Sequence, residues 1–390
     1  MSNFIEEIER CVPASSADEI PWDELERLLA PIGFSAMKTT PQNPIYHGEG
    51  DVYAHTRLVC RELIEAPAFR ETPRRRKTEL FLAAVLHDVG KVKTTRMEDG
   101  ALTSPGHAST GSRTVREFLW RDCGLCGTPD AIAFRETVCA LVRFHMLPSR
   151  LIELDDPERK AREIAAYGEL AHDFSWNLLA ALTEADAKGR ISEKIDDALT
   201  RIRLSGIVAE EALCADAPYR FPDAFTRRAY LSGRDVAPGQ PLYDDCWGEV
   251  LMTSGLPGTG KDFWLRKNRP DLPTVSLDGI RKELRVAPTD GQGRVAQVAE
   301  ERAKELLRNK RPFVWNATNL TRDIRQKLVR LFERYGARVR IVYLETDWAT
   351  RIARNAGRES AVPENAVERM LEKTVLPTLD EAQFVEWICV

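Results

Sequence analysis

From Pro21 to about Leu213, apolar residues recur three to four apart in Val52 to Ile64, Leu80 to Leu86, Val115 to Trp120, Val138 to Met146 and Leu178 to Leu182. That spacing lays one face of a helix against a core, and strand-like alternation is sparse here, so the pattern predicts a helical bundle. Residues 1–45 share the helical character and form an extension with no recognisable chemistry. A stretch rich in Pro, Gly and Asp follows the bundle, DAPYRFPDAF and then GRDVAPGQPLYDD, which suits a connection over a surface. A boundary near residues 230 to 245 divides the chain into 1–235 and 236–390. Beyond it, the short β-rich runs EVLMTSG, TVSL, FVWNAT and ARVRIVYLE alternate with helices from Lys261, around Val295 to Leu307 and around Arg322 to Tyr335. Alternation of this kind predicts βαβ units on a central parallel sheet. Helical stretches at Trp348 to Ala353 and Pro363 to Thr374 flank RNAGRES, which suits a lid. The expected architecture is therefore two-domain, an all-α bundle followed by an α/β domain.

At 390 residues the chain exceeds the size of a single growing core, which agrees with two domains. Ordinary apolar and charged fractions, 43% and 30%, exclude disorder or a fibre as the main state. The longest apolar run, Phe81 to Leu86, is too short to span a bilayer, and MSNFIEEIER lacks the pattern of a signal peptide. A cytoplasmic protein without a membrane partner is expected. Eight cysteines with a single CxxC, Cys123 and Cys126, read as reduced thiols. The net charge of −4 is segregated, −9 before Glu249 and +5 from it onward. A basic C-terminal part fits a polyanionic partner, and equally a solvated face.

Gly255-Leu256-Pro257-Gly258-Thr259-Gly260-Lys261 satisfies GxxxxGK directly after an expected strand and before an expected helix. The amides of such a loop point at phosphate oxygens, and Lys261 would reach the β- and γ-phosphates. The Ser or Thr that usually follows the lysine and holds Mg²⁺ is Asp262. Its carboxylate either ligates the metal directly or opposes the nucleotide. After the second strand, Asp278 stands where open α/β sheets bind ligands, with Arg281 one turn later. Asp278 there can accept the proton of an attacking hydroxyl while Arg281 clamps a phosphate, or Asp278 can simply cap the helix. Asn316, Thr318 and Asn319 end the third strand, to position a ligand or to shape a turn. Arg351, Arg354 and Arg358 share the lid segment with Asn355, where cations would serve phosphoryl transfer.

From about Glu249 onward, GLPGTGK, DGIR, NATNL and RNAGRESAVP resemble, in order, the 5′-hydroxyl polynucleotide kinases of the phage and bacterial end-healing type. The resemblance implies that Asp278 is the general base, that Arg281 holds the acceptor's phosphate, and that Arg354 and Arg358 hold the donor phosphates. Asp262 departs from that family's pattern.

All six histidines precede residue 173, and His87 adjoins an aspartate in Leu86-His87-Asp88-Val89-Gly90-Lys91. His55, His107, His145 and Asp186 lie on other helices that could converge, and imidazole with carboxylate suits divalent first-row metals. A lone histidine is also an ordinary surface or core residue. The order HDVGK, GHAST, a late His and EADAKGR resembles the HD phosphohydrolase superfamily over roughly residues 45 to 215. The resemblance implies one metal on His55, His87, Asp88 and Asp186, and a second on His107 and His145 sharing Asp88. It also places Lys91 near a scissile phosphate, whereas His47 and His172 match no motif position.

An HD module followed by such a kinase resembles the bacterial HD-domain polynucleotide kinases, bifunctional RNA end-healing enzymes. The resemblance implies an HD bundle followed by a P-loop kinase. Its cofactors would be ATP or another NTP with Mg²⁺, and one or two divalent ions of the Mn, Ni, Co or Zn type. The partners implied are RNA or DNA ends, a nucleotide and a separate RNA ligase that uses the healed ends. A small-molecule kinase fused to a metal-dependent nucleotidase, and a nucleotide-binding regulatory module, remain as alternatives.

Overall fold

The computed structural model describes residues 3–193, 195–286, 292–358 and 361–390. Residue contacts divide the chain into two compact units, one of Met1–Leu125 with Asp130–Tyr219, the other of Cys126–Pro129 with Arg220–Val390.

The first unit is helical. Its main elements are α1 (Val52–Glu65), α2 (Arg74–Leu86), α3 (His107–Glu117), α4 (Pro129–Phe144), α5 (Trp176–Lys188) and α6 (Ile195–Glu211). Helix α1 begins where Asp51 accepts a hydrogen bond from Ala54 N at 2.8 Å, and α5 where Ser175 accepts one from Leu178 N at 3.3 Å. Both caps satisfy amides that have no partner within the helix. Along α1 the buried positions are Val52, His55, Thr56, Val59, Cys60, Leu63 and Ile64, a single stripe at helical spacing. Helix α2 is buried on every side from Thr78 to Leu86, which makes it the central helix of the unit. Helices α1 and α2 pack on one another, and both pack on α5. Arg116 of α3 and Arg135 of α4 converge on the buried Glu136, with nitrogen to oxygen distances of 2.6 and 2.8 Å. This pairing fixes α3 against α4, because breaking it would leave an uncompensated buried charge. A short antiparallel pair, Arg96–Glu98 with Ala101–Thr103, links the end of α2 to α3.

The turn between α2 and α3 depends on a glycine. A Cβ on Gly90 would stand 2.1 Å from His107 O and 2.6 Å from Gly111 N, so α3 approaches this backbone more closely than any side chain permits.

The second unit is an α/β domain with five parallel strands. They are β1 (Gly248–Ser254), β2 (Thr274–Ser276), β3 (Phe313–Asn316), β4 (Ala337–Glu345) and β5 (Phe384–Cys389), in the order β2-β3-β1-β4-β5. Between them run α7 (Lys261–Asn268), α8 (Leu277–Leu284), α9 (Gln292–Arg308), α10 (Arg322–Arg334), α11 (Trp348–Ala356) and α12 (Glu364–Leu371). Helices cover a parallel sheet on both faces, so its strands read as continuous apolar runs. Leu251, Val314, Val342 and Leu344 form the core with Leu265 of α7. Strand β1 is central, which delivers the glycine loop to the middle of the sheet's C-terminal edge.

Besides the short antiparallel pair of the first unit, two elements of the second unit were not anticipated from the sequence. Strand β5 lies at the edge beside β4, in the otherwise unassigned run FVEWIC. The stretch expected to be a plain connection holds a helix, Ala224–Leu231, capped where Asp223 accepts from Thr226 N at 2.7 Å. Arg228 ties that helix to Glu333 of α10 through contacts of 2.8 and 2.9 Å, so it packs with the second unit. The division of contacts falls between Tyr219 and Arg220, ahead of the expected residues 230 to 245, for that reason. The segment RNAGRES runs on into Glu359 and Ser360, which lie outside the described residues. Among the described residues no helix is long and apolar enough to cross a membrane, and no disulfide joins the eight cysteines.

Gly90→Ala should lower stability by about 1–3 kcal/mol or more, because neither neighbouring backbone can yield. Urea denaturation checks this, and a variant as stable as the parent would refute the close approach.

Candidate functional sites

In the first unit the six residues named as metal ligands come together. His55 Nε2 lies 3.0 Å from Asp186 Oδ1, and His87 Nε2 lies 3.3 Å from Asp88 Oδ2. Asp88 Oδ2 is also 3.8 Å from His55 Nε2, and Asp186 Oδ1 is 3.9 Å from His87 Nε2. The other oxygen of Asp88, Oδ1, faces His107 Nε2 at 3.4 Å and His145 Nε2 at 3.9 Å. One carboxylate thus stands between two histidine pairs.

The proton positions follow from the backbone. Nδ1 of His87 donates to Ala84 O at 2.8 Å, that of His107 to Ser104 O at 2.8 Å, and that of His145 to Val142 O at 2.7 Å. Each Nε2 is therefore left as a lone pair directed inward, the form that binds metal. Burial pushes the His145 imidazole down to about 3, and pushes His107 down as well, so both are neutral at neutral pH. Burial alone would lower the His55 imidazole, and Asp186 with Glu49 outweighs this by favouring its charged form, so its net shift is upward. For Asp88, burial alone would raise the carboxyl, and Lys91 with the histidines reverses this to well below the ordinary range. Asp186 is likewise held well below that range, burial being outweighed by Arg190 and His55.

A divalent ion fits this donor set. Bonds of about 2.1 Å at tetrahedral or octahedral angles put neighbouring donor atoms about 3.0–3.4 Å apart, close to the spacing seen. His87 Nε2 is moreover buried without a hydrogen-bond partner, a cost that a ligand would relieve. Among the described residues, the groups within metal-binding reach are His55, His87 and Asp88, then Asp88, His107 and His145, and a third of His47, Glu49 and His55. No cysteine belongs to any of them.

Lys91 is not a free cation here. Its Nζ lies 2.7 Å from Asp88 Oδ2 and donates to Gln42 Oε1 at 2.6 Å. Sequence reasoning missed four residues around this centre. Gln42 receives Lys91, Arg190 holds Asp186 Oδ2 at 2.5 Å, and His47 and Glu49 lie behind His55. Arg190 carried one signal, since it follows Asp186 by a single helical turn. Glu49 sits just ahead of the α1 cap in His-Gly-Glu-Gly-Asp, and nothing in that string alone marks it.

In the second unit the glycine loop joins β1 to α7. Gly258 has φ 88°, and a Cβ there would stand 2.4 Å from Arg351 O, so the loop lies against α11. Gly255 and Gly260 also have positive φ, and Pro257 and Thr259 are buried. Thr259 Oγ1 donates to Leu256 O at 2.9 Å, which keeps that hydroxyl within the loop. Lys261 Nζ folds back to donate to Gly255 O and Leu256 O, each at 2.8 Å. Burial pushes its ammonium down to about 8.

Asp262 is held in place by a chain of hydrogen bonds. Thr253 Oγ1 donates to Asn316 Oδ1 at 2.9 Å, and Asn316 Nδ2 donates to Asp262 Oδ1 at 2.7 Å. Asn319, at φ 44°, donates its amide to Thr253 O at 2.7 Å, and Gly255 N donates to Thr318 O at 2.9 Å. The Asn-Ala-Thr-Asn segment therefore braces the root of the phosphate loop.

Asp278 stands at the same edge. Its helix is capped by Ser276, whose Oγ accepts from Gly279 N at 3.2 Å, so Asp278 is not the cap. Its two oxygens take different arginines, Arg281 at 2.6 Å and Arg358 at 3.1 Å. Arg358 and Asp278 both act electrostatically on Lys261, which brings the three residues to one place. Arg354 Nη1 reaches Val390 O at 3.4 Å beside Gly260. Arg351 differs from its neighbours. It is buried, stacks 4.1 Å over the Trp348 ring and pairs with Glu364, so it serves the packing of α11.

A central strand leading through a glycine loop into a helix, with a lysine at the loop's end, defines a P-loop nucleotide-binding domain. Residues 250–377 match a family described as an AAA domain, AAA_33. The C-terminal unit is thus a P-loop domain of nucleotide-kinase type, which implies ATP or another NTP with Mg²⁺. Asp262 places a hard carboxylate oxygen at the position of the usual hydroxyl, a donor type that Mg²⁺ accepts.

Lys261 should couple nucleotide binding to proton uptake. Phosphates favour the charged ammonium, so the bound form keeps its proton to higher pH than the free form. Below about pH 8 both forms are protonated and affinity is flat; above it, affinity should fall up to about tenfold per pH unit. Calorimetry of ATP binding in buffers of different ionisation enthalpy reads the uptake, and none at pH 9 would contradict the burial of this lysine.

Proposed function

We propose that the chain is a bifunctional nucleic-acid end-healing enzyme. The observation that carries this reading is the base of the second unit. Asp278 stands beside the P-loop lysine with one arginine on each of its oxygens. An arginine directed at the donor and another at a phosphate of the acceptor suit a polynucleotide end better than an isolated alcohol.

In the kinase reaction Lys261, Arg354 and Arg358 would hold the phosphates of ATP or another NTP, and Arg281 the phosphate next to a 5′-hydroxyl of RNA or DNA. As the 5′ oxygen bonds to the γ-phosphorus, the bond from that phosphorus to the β–γ bridging oxygen breaks. Asp278 takes the hydroxyl proton and the nucleoside diphosphate leaves. Phosphoryl transfer gains chiefly from such positioning and from cations around the transferred group.

The first unit would remove a 2′,3′-cyclic, 3′- or 2′-phosphate. His55, His87, Asp88 and Asp186 would hold one divalent ion, and Asp88, His107 and His145 a second. Divalent ions, when bound, act as Lewis acids on phosphate oxygens and make water a nucleophile near neutral pH. The chain's own residues fix the donors. Three backbone carbonyls set the histidine tautomers, Arg190 orients Asp186, and Gln42 holds Lys91 against Asp88. The healed ends, a 5′-phosphate and a free 3′-hydroxyl, are the substrates of a separate ligase.

A nucleotide-binding regulatory role has one feature in its favour, the carboxylate of Asp262 in place of a hydroxyl. A short RNA with a 5′-hydroxyl and a 2′,3′-cyclic phosphate, followed at both ends with ATP and Mg²⁺, Mn²⁺, Ni²⁺ or Co²⁺, separates the readings. Asp278→Ala should slow 5′ phosphorylation by about 10²–10⁴-fold and spare the other end. Asp88→Ala should abolish phosphate removal and spare phosphorylation. ATP binding with neither end altered under any metal would leave the regulatory or small-molecule reading.

Asp262→Ser gives a further test, because a hydroxyl returns to the usual metal position. If Asp262 ligates Mg²⁺, the variant should bind Mn²⁺ in the presence of a non-hydrolysable ATP analogue more weakly than the parent. Tighter binding would show that the carboxylate opposes the nucleotide.

A further inference from the structure

Three of the four candidate histidine ligands are oriented by backbone carbonyls three residues earlier, and His55 is not. The carbonyl at the corresponding position, Val52 O, receives Thr56 Oγ1 at 2.9 Å. His55 Nδ1 is buried without a well-formed hydrogen bond, and Glu49 Oε1 lies 2.9 Å from it. The Glu49 side chain is 2% exposed. Its Oε1 also lies 2.8 Å from His47 Nδ1, and its Oε2 accepts from Ile191 N at 2.9 Å. The His47 and Ile191 hydrogen bonds and the close His55 imidazole outweigh burial and hold the Glu49 carboxyl well below its ordinary range.

The same short stretch of chain holds two ligands. Arg190 clamps Asp186, while Ile191 fixes Glu49 through its amide and receives Gly48 N at 3.0 Å on its carbonyl. A Cβ on Gly48 would come within 3.0 Å of Ile191 O, so the loop bearing His47 and Glu49 lies directly on this stretch. His55 and Asp186, 3.0 Å apart, are thereby set from one frame.

We infer that Glu49 is a positioning residue that sets the affinity of the ion held by His55, His87, Asp88 and Asp186, with His47 and Ile191 holding Glu49 in turn. This rests on the metal-centre reading of the first unit. A carboxylate that accepts from the far nitrogen of an imidazole fixes its tautomer and makes the near nitrogen a stronger donor. A carboxylate does so more strongly than a carbonyl, so the two ions are held unequally. An ion lodged among His47, Glu49 and His55 would instead need His55 to ligate through both nitrogens, with no proton on the ring.

The test uses the full chain, stripped of metal and titrated with Mn²⁺, with free Mn²⁺ read by electron paramagnetic resonance. The parent should bind two ions. Glu49→Gln should bind one of them about 10–100-fold more weakly and the other as before, with an unchanged melting temperature in the metal-free state. Should Glu49→Gln fail to fold, His47→Asn loosens Glu49 from one side and should weaken the same ion severalfold. Unchanged affinity for both ions overturns the inference. So does a third ion in the parent that is lost in the variant, and so does equal weakening of both ions with a lowered metal-free melting temperature. A parent that binds no divalent ion overturns the metal-centre reading itself, and the parent titration alone decides that.

Discussion

Buried polar groups must find partners, and in the first unit this constraint joins helix ends to the candidate metal ligands. The last carbonyls of a helix have no partner within it. His87 follows the last residue of α2 and His145 follows that of α4, and each donates Nδ1 to a carbonyl of the closing turn, Ala84 O and Val142 O. One hydrogen bond thus closes a helix and turns an imidazole's lone pair toward the centre. Asp88 is tolerable in this interior because Lys91 and the histidines surround it. Removing any one of these groups would leave the others buried and uncompensated, so centre and bundle stand together.

The second unit meets the same constraint with backbone rather than side chains. Its glycine loop presents amides and carbonyls, and Lys261 occupies two of the carbonyls. The loop's shape is set from two sides. On one, Gly258 packs against the backbone of Arg351; on the other, Asn316 and Asn319 tie β3 to β1 and to Asp262. Asp262 therefore has a fixed place at the sheet edge, with one oxygen committed to Asn316. A carboxylate held in this way has less freedom than a hydroxyl that can rotate.

The arginines of α11 show how one short stretch of like residues divides by position. Arg351 faces inward, onto Trp348 and Glu364, whereas Arg358 reaches Asp278 and Arg354 lies near the loop. Charge alone grouped the three; spacings of three and seven would place them on one helical face, and the end of the helix at Ala356 is what sends Arg358 elsewhere. The same holds for the asparagines after β3, whose amides are spent on bracing the loop.

Local pattern was enough for the helical texture of the first unit, the βαβ alternation of the second, the GxxxxGK loop and the His-Asp doublet, because each is encoded within a few residues of the chain. The six residues that meet in the first unit could be named beforehand through scarce histidines and the motifs of the HD resemblance. Only the tertiary structure decided which oxygen of Asp88 faces which histidine pair, and that Glu49, Gln42 and Arg190 complete the surroundings. It alone showed that Ala224–Leu231 is a helix and that Phe384–Cys389 is a strand. The physical reason is common to all of these. A hydrophobic period or a glycine loop is a property of consecutive residues, whereas a carboxylate's partners, a short helix's docking and an edge strand's pairing are contacts between residues far apart in the chain. His55 and Asp186 meet across 131 positions, and no spacing in the sequence records it.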